Sequence, residues 1–389
     1  MTVGIPVGHH SADRRVGLVP ALVPSLIKAG LEILVERGAG ESAGFPDADY
    51  ERHGARLAAD RTELFSSADV ILQLQGLGPG EDSLRPGQIL LGLLNPLGAV
   101  EAVPVLARKG VTAFALELLP RISRAQPMDA LTSMATIAGY KAALLAADSL
   151  PKLFPMMITA AATITPARVL VVGAGVAGLQ AIATCRRLGA VVEAYDVRPD
   201  VKRQVETLGA RFLELELETG DAEGEGGYAR VMDEEFYRRQ RELMTRAVAE
   251  SDVVITTAAV PGKEAPLLIT EAAVKRMQTG SLIIDLAAES GGNCALTRVG
   301  ETVEAYGVTI LGPANLAATI PHHASQMFAG NAAAFLHNLM ENGKMRLNLA
   351  DPIIRDTLLT HEGEVVSARV REILGMPEAS ASREEGGNA

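Results

Sequence analysis

The chain has 389 residues, 48% of them hydrophobic but only 4% aromatic, with no Trp and a formal net charge of −11. That length leaves room for two or three domains with full cores, and an acidic chain without a run of five basic residues excludes a surface built for nucleic acid. Two cysteines, Cys185 and Cys294, exclude a disulfide framework, and MTVGIPVGHH lacks a signal-peptide pattern, so the expected compartment is the reduced cytoplasm.

A core rich in Ala, Val, Leu and Ile suits sheets closely covered by helices. From the start, the strand-like runs VGIPV, LEILVE, DVILQLQ, QILLGLL and TAFALELL alternate with the helical patterns VPALVPSLIKAG and VEAVPVLARKG. This alternation predicts βαβ units and a parallel sheet. The polar segment RISRAQPMD (121–129) follows, and then a small-residue helix from Ala130 to Ala147 that links two α/β domains. A second series opens at Arg168 with VLVVGAG, VVEAYDV, DVVITTA, SLIIDLAA and GVTILGP, apolar enough to be buried on both faces. After Pro321 the stretch MFAGNAAAFLHNLMEN is helical and returns to the first domain. The longest uncharged run, Val169 to Cys185, falls short of the ~20 residues of a spanning helix, so no direct membrane span is expected. The expected fold class is α/β, with two doubly wound, Rossmann-like parallel-sheet domains separated by a cleft. Residues 1–132 plus 320–376 form the first, residues 133–319 the NAD-binding second, and 377–389 a polar tail.

Residues 219–246 depart from the alternation, opening Gly- and Glu-rich and ending as a helix with Glu234–Arg238 and Glu235–Arg239 at i,i+4. An insertion this long is either a lid or a solvated excursion.

Gly173-Ala174-Gly175-Val176-Ala177-Gly178 follows the strand RVLVV and precedes the helix LQAIATCRRLG. In that context Gly173 permits the tight turn, Gly175 lets a pyrophosphate approach the backbone, and Gly178 lets helix and strand pack closely. Asp196, at the end of VVEAYD, is placed to accept from ribose hydroxyls and to repel a 2′-phosphate, which selects NAD. Arg198 works against that selection, because a nearby arginine can receive the phosphate.

The other chemical groups have plainer readings. Adjacent histidines, His9-His10 and His322-His323, point apart on either a strand or a helix, and no metal site is expected. Cys185 is a core residue, Cys294 lies at a strand end, and Asp285 is either a second polar layer or a helix cap. Read alone, the two arginines and the aspartate of 121–129 form either an exposed ion-pair cluster or, where two domains meet, a clasp on a ligand.

PRISRAQPMD, VVGAGVAGLQAIATCRRLGA, DVRPDVKRQVETLGA, GGYARVMDEEF, TTAAVPGKEAPLLIT and DLAAESGGNC, in this order, resemble the NAD(H)-binding alpha (domain I) component of proton-translocating NAD(P) transhydrogenase, to about Leu349. The resemblance implies that the loop contacts nicotinamide, ribose and a facing subunit through Arg121, Gln126 and Asp129, flanked by Ile122, Ser123 and Arg124, with Thr132 and Pro127 standing where serines are usual. It implies Ala174, Gly175 and Val176 on the pyrophosphate and Asp196, Val197 and Arg198 on the adenosine. Gly227, Gln240 and Ala259 would surround the nucleotide, and Tyr228 and Met232 would ride a mobile lid. It further implies a homodimer, with NADP(H) on a partner subunit. The protein would be peripheral on the inner face of the cytoplasmic membrane through membrane subunits, in the split form whose alpha chain lacks membrane helices.

The chain also resembles alanine dehydrogenase through RRVGLVP (with Arg15), the glycine turn and DLAAESGG. That family oxidises an amine and uses a lysine and a histidine to move protons. Aligned without gaps, the lysine strand becomes ADVILQLQ, with Gln73 and Gln75, the histidine falls on Asn95, and a late aspartate on Glu289. Amides cannot exchange protons near neutral pH, and general acid–base catalysis normally contributes ~10²–10⁴-fold. Hydride passing between two nicotinamides needs no proton carrier. Direct hydride transfer is therefore the expected reaction, with an alanine dehydrogenase-like enzyme or a non-catalytic NAD-sensing module as the alternatives. Arg121, Gln126 and Asp129 separate the first from a sensor, which need not grip the redox ring.

Overall fold

The computed structural model describes residues 1–9, 12–74, 83–214, 234–259, 262–341 and 344–377. The chain divides into two compact units, Met1–Met134 with Ala318–Ala389, and Ala135–Ala317.

The first unit is built on an eight-stranded sheet in the spatial order Glu364–Val365, Leu358–His361, Thr112–Ala115, Ile89–Gly92, Val70–Gln73, Thr2–Ile5, Glu32–Glu36 and Arg56–Ala58. Its six N-terminal strands pair in parallel. Leu358–His361 adds antiparallel to Thr112–Ala115, with a register shift between Leu358 and Thr360, and Glu364–Val365 closes the edge. The sheet reverses at Thr2–Ile5, whose neighbours are the second strand of the chain on one side and Val70–Gln73 on the other. Open α/β sheets bind ligands at such reversals. Leu64, Leu90, Leu106 and Leu359 are among the fully buried residues of its core, so the C-terminal return is part of the hydrophobic centre.

The second unit carries a seven-stranded sheet in the order Arg211–Phe212, Val191–Tyr195, Arg168–Val172, Val253–Thr256, Leu282–Asp285, Val308–Leu311 and Thr302–Ala305. All pairs are parallel except the last, where Thr302–Ala305 runs against Val308–Leu311. Val253–Thr256 and Leu282–Asp285 are buried at every position, as strands covered on both faces must be. The order reverses at Arg168–Val172, which places the glycine turn at the switch point.

The small-residue helix spans Ala130–Ser149. By length and composition it could cross a membrane, which corrects the expectation drawn from uncharged runs: Lys141 interrupts the run without making the helix polar overall. Ala142, Ala143 and Ala146 are nonetheless fully buried within the second unit, with Val169 and Ile182 in the same core cluster. The long insertion is described only from Glu234, where the helix Glu234–Ala249 begins, and Arg238 there pairs with Glu242 at 2.6 Å.

Candidate functional site

In the second unit, Arg168–Val172 delivers the chain into the turn at Gly173, whose φ of +97° lies in the left-handed region that side chains resist. Thr257 fastens the turn from the neighbouring strand end, its N–H donating to the Val172 carbonyl at 2.8 Å and its hydroxyl to the Gly173 carbonyl at 3.0 Å. A Cβ on Gly178 would lie 1.8 Å from the Gly173 carbonyl oxygen, so only glycine lets the helix Val176–Arg187 approach the strand this closely. Gly175, the N-cap, has the opposite surroundings: a Cβ there meets nothing within 4 Å. No side chain caps this helix, so its first-turn amides are left for solvent or an anion. These features fit a dinucleotide, with clear space over Gly175 and uncapped donors beside it.

Asp196 and Arg198 form a closed pair. Arg198 donates from its backbone N–H and from Nε to Oδ1, each at 2.9 Å, and from Nη2 to Oδ2 at 2.9 Å, while the Ala174 N–H donates to Oδ2 at 2.7 Å. Ala174 is thus committed to Asp196, and the Arg198 fork is neutralised by the acid beside it. Val176 and Ala259 are exposed, and Val197 is half-buried next to the pair. Gln240 is 3% exposed, and its amide donates to the Tyr195 hydroxyl at 3.0 Å, tying the helix Glu234–Ala249 to the strand that carries Asp196. Gly227, Tyr228 and Met232 lie outside the described residues.

Two supports of the turn escape a reading of the sequence. Asp285, fully buried, accepts at Oδ1 from the Thr256 hydroxyl and the Ala287 N–H, and at Oδ2 from the N–H groups of Asn293 and Cys294 and the Thr297 hydroxyl. Five donors satisfy this carboxylate without a cation, as a buried charge requires. Asn293 in turn accepts from the Ala258 N–H at 3.0 Å and donates to the Ala258 and Pro266 carbonyls, which holds the segment beside Thr257. The paired glycines of ESGGN mark a turn, but the asparagine after them carries no signal of its own. Burial raises the Cys294 thiol and pushes Cys185 up to about 12, so both are inert.

The first unit carries the other cluster. Residues Ser123–Met128 form a 3-10 helix that buries Ala125 and Met128 and leaves Arg121, Ile122, Ser123, Arg124 and Gln126 exposed. Asp129 takes the Thr132 N–H at 2.9 Å and the Thr132 hydroxyl at 2.6 Å, the hydrogen bonds of an N-cap on the helix Ala130–Ser149. Asp129 and Thr132 are therefore brought together. Arg124 instead turns to Asp351 and Asn338.

A small cavity at the reversal of the first sheet is lined by His9, Arg15, Arg61 and Gln73, among others. Arg15 is spent on Asp13, with hydrogen bonds of 2.6 and 2.8 Å, both side chains being buried. Asn95 adopts a φ of +50°, and its N–H donates to Glu117 at 2.5 Å. Glu289 accepts from the Asn315 N–H at 3.1 Å. Gln75 lies outside the described residues. His322 stacks on Phe45 and makes a hydrogen bond with the Ala43 carbonyl at 2.9 Å, a structural role within the first unit.

Family models for alanine dehydrogenase/PNT match residues 4–138 as the N-terminal domain and 142–368 as the C-terminal domain. The chain is 42% identical over 375 residues to the first of the polypeptides that make up the NAD(P) transhydrogenase alpha subunit of Rhodospirillum rubrum, covering 94% of this chain and 98% of the relative. The crystal structure of transhydrogenase from Sinorhizobium meliloti superposes with a TM-score of 0.85 at 40% identity, covering 94% of this chain and 100% of that one. Alanine dehydrogenase of Mycobacterium tuberculosis is 29% identical over 385 residues, covering 97% of this chain and 98% of the relative. The chain belongs to the alanine dehydrogenase/PNT family, and it shares more with the transhydrogenase alpha subunit than with the alanine dehydrogenase.

Proposed function

We propose that this chain is the NAD(H)-binding subunit of a proton-translocating transhydrogenase. When bound, NADH supplies a hydride: its C4–H bond breaks with both electrons, a C–H bond forms at C4 of NADP+ on a partner subunit, and no proton is exchanged. The observation that carries this reading is that Gln73 and Asn95 stand where amine oxidation needs proton carriers.

The residues divide the work as follows. Uncapped amides at Val176 and the clear space at Gly175 hold the pyrophosphate. Asp196 receives ribose hydroxyls, with Arg198 kept on the acid and away from a 2′-phosphate. Arg121, Gln126 and Asp129 position the nicotinamide and its ribose at the facing subunit, and holding reactants in geometry is most of what such a transfer requires. Tyr228 and Met232 serve as a lid that excludes water.

The partners are a second copy of this chain, an NADP(H)-binding subunit and a membrane subunit that couples transfer to proton movement. The protein is peripheral on the inner face of the cytoplasmic membrane through them. The hairpin Met157–Ile158 with Thr163–Ile164 supports self-association, since it exposes Met156, Met157, Ile158 and Ile164 together. The test is to mix purified protein with an NADP(H)-binding subunit and follow reduction of an NADP+ analogue by NADH. Reduction only in the mixture supports the reading; oxidation of L-alanine by this chain alone at a comparable rate restores the amino-acid dehydrogenase.

A further inference from the structure

Six consecutive 3-10 residues exceed what such a tight helix usually sustains, because its hydrogen bonds are poorly aligned. The Ser123–Met128 segment also contains Pro127 and buries only two side chains. Its position must be fixed from outside. Two attachments do this, both from the C-terminal part of the same unit. Asn331, on the helix Pro321–Leu339, donates to the Pro127 carbonyl at 2.8 Å. Arg124 donates from Nη1 to Asp351 Oδ2 at 3.0 Å and to Asn338 Oδ1 at 3.1 Å, and from Nη2 to Asp351 Oδ1.

One guanidinium thus takes both oxygens of one carboxylate, the planar pairing that lysine cannot reproduce. Asp351 is fixed in its turn. It caps the helix Pro352–Thr357 through the Ile353 N–H at 3.0 Å, and that helix leads directly into the strand Leu358–His361 of the sheet. Its side chain is only 12% exposed, against 54% for Arg124. The pair therefore ties a surface loop to a buried anchor.

We propose that Arg124 and Asp351 are a latch that sets the position of the loop 121–129, so that Arg124 serves the redox half-site as a positioning residue and not by touching the nucleotide. The consequence for hydride transfer rests on the function proposed above; the consequence for loop order rests on the geometry alone.

The variants are Asp351→Asn, Arg124→Gln and the double variant. Asparagine still accepts at the N-cap, so Asp351→Asn removes the charge pair while keeping the helix start. Three quantities are read: amide hydrogen exchange of a peptide spanning 121–129, the Kd for NADH, and the rate of hydride transfer with an NADP(H)-binding subunit. Each single variant is expected to speed exchange in that peptide, to leave the Kd within about 2-fold, and to slow transfer by about 10- to 100-fold, the scale of a misplaced reacting group. The double variant is expected to be no slower than the slower single one, as for two members of one unit.

Unchanged exchange in Asp351→Asn overturns the latch. So does a loss of NADH affinity in Arg124→Gln that Asp351→Asn does not share, which would mean that Arg124 grips the nucleotide itself. Effects that multiply in the double variant also overturn it. If the unaltered protein transfers no hydride, the functional reading fails, while exchange in 121–129 still decides the latch.

Discussion

Replacing Glu117 with Gln should reverse a pH-dependent weakness built into the first unit. Glu117 follows the strand Thr112–Ala115, and one carboxyl oxygen accepts from the Asn95 N–H, while the other is enclosed without a hydrogen-bond partner. Burial raises its pKa from 4.5 to about 7, against the opposing pull of backbone donors at Asn95, Glu117 and Leu94. The folded state therefore binds a proton that the unfolded state has released, and stability falls as pH rises from about 4.5 to about 7. A displacement over that interval corresponds to at most about 3 kcal/mol. Gln is neutral throughout and lacks this dependence. Denaturant unfolding of both proteins at about pH 5 and about pH 8, on either side of the shifted value, measures the difference. The variant should gain on the unaltered protein by up to about 3 kcal/mol between the two conditions, and an unchanged gap would refute the reasoning.

Gly178→Ala should disrupt the turn, because its Cβ overlaps the Gly173 carbonyl, whereas Gly175→Ala should keep the unfolding midpoint and lose NADH affinity; thermal unfolding and NADH fluorescence separate the two. Asp196→Asn frees the Arg198 fork, so NADH should bind about 10-fold more weakly and NADPH more tightly, measured by the same titration. Thiol labelling of the native protein should proceed no faster than unfolding, since Cys185 and Cys294 are both buried with raised pKa; rapid labelling under mildly alkaline conditions would contradict this.

The strands legible in the sequence are those buried on both faces. RVLVV, DVVIT and SLIID form unbroken apolar runs and are central strands of the second sheet. Edge and return strands carry no such signal: Arg56–Ala58, Thr302–Ala305 and Leu358–His361 are short, mixed in polarity or added antiparallel, and their pairing is set by distant contacts. TAFALELL reads as one strand, yet it ends at Ala115 and turns into the 3-10 segment Leu116–Leu118. At the site, glycine spacing discloses the turn because backbone geometry allows few residues there. The partners of Arg124 and Ala258 are hidden, since Asp351 and Asn293 lie far along the chain and a lone Asn or Asp has no periodic signature.

The most direct test of the account follows the hydrogen itself. NADH deuterated at the transferred C4 position is mixed with this protein, NADP+ and an NADP(H)-binding subunit, and the NADPH formed is analysed by mass spectrometry. Direct transfer between facing rings predicts NADPH that carries the deuterium in ordinary water. Deuterium lost to solvent, or label appearing only when an amino acid or oxo acid is added, would contradict a half-site that works without a proton carrier.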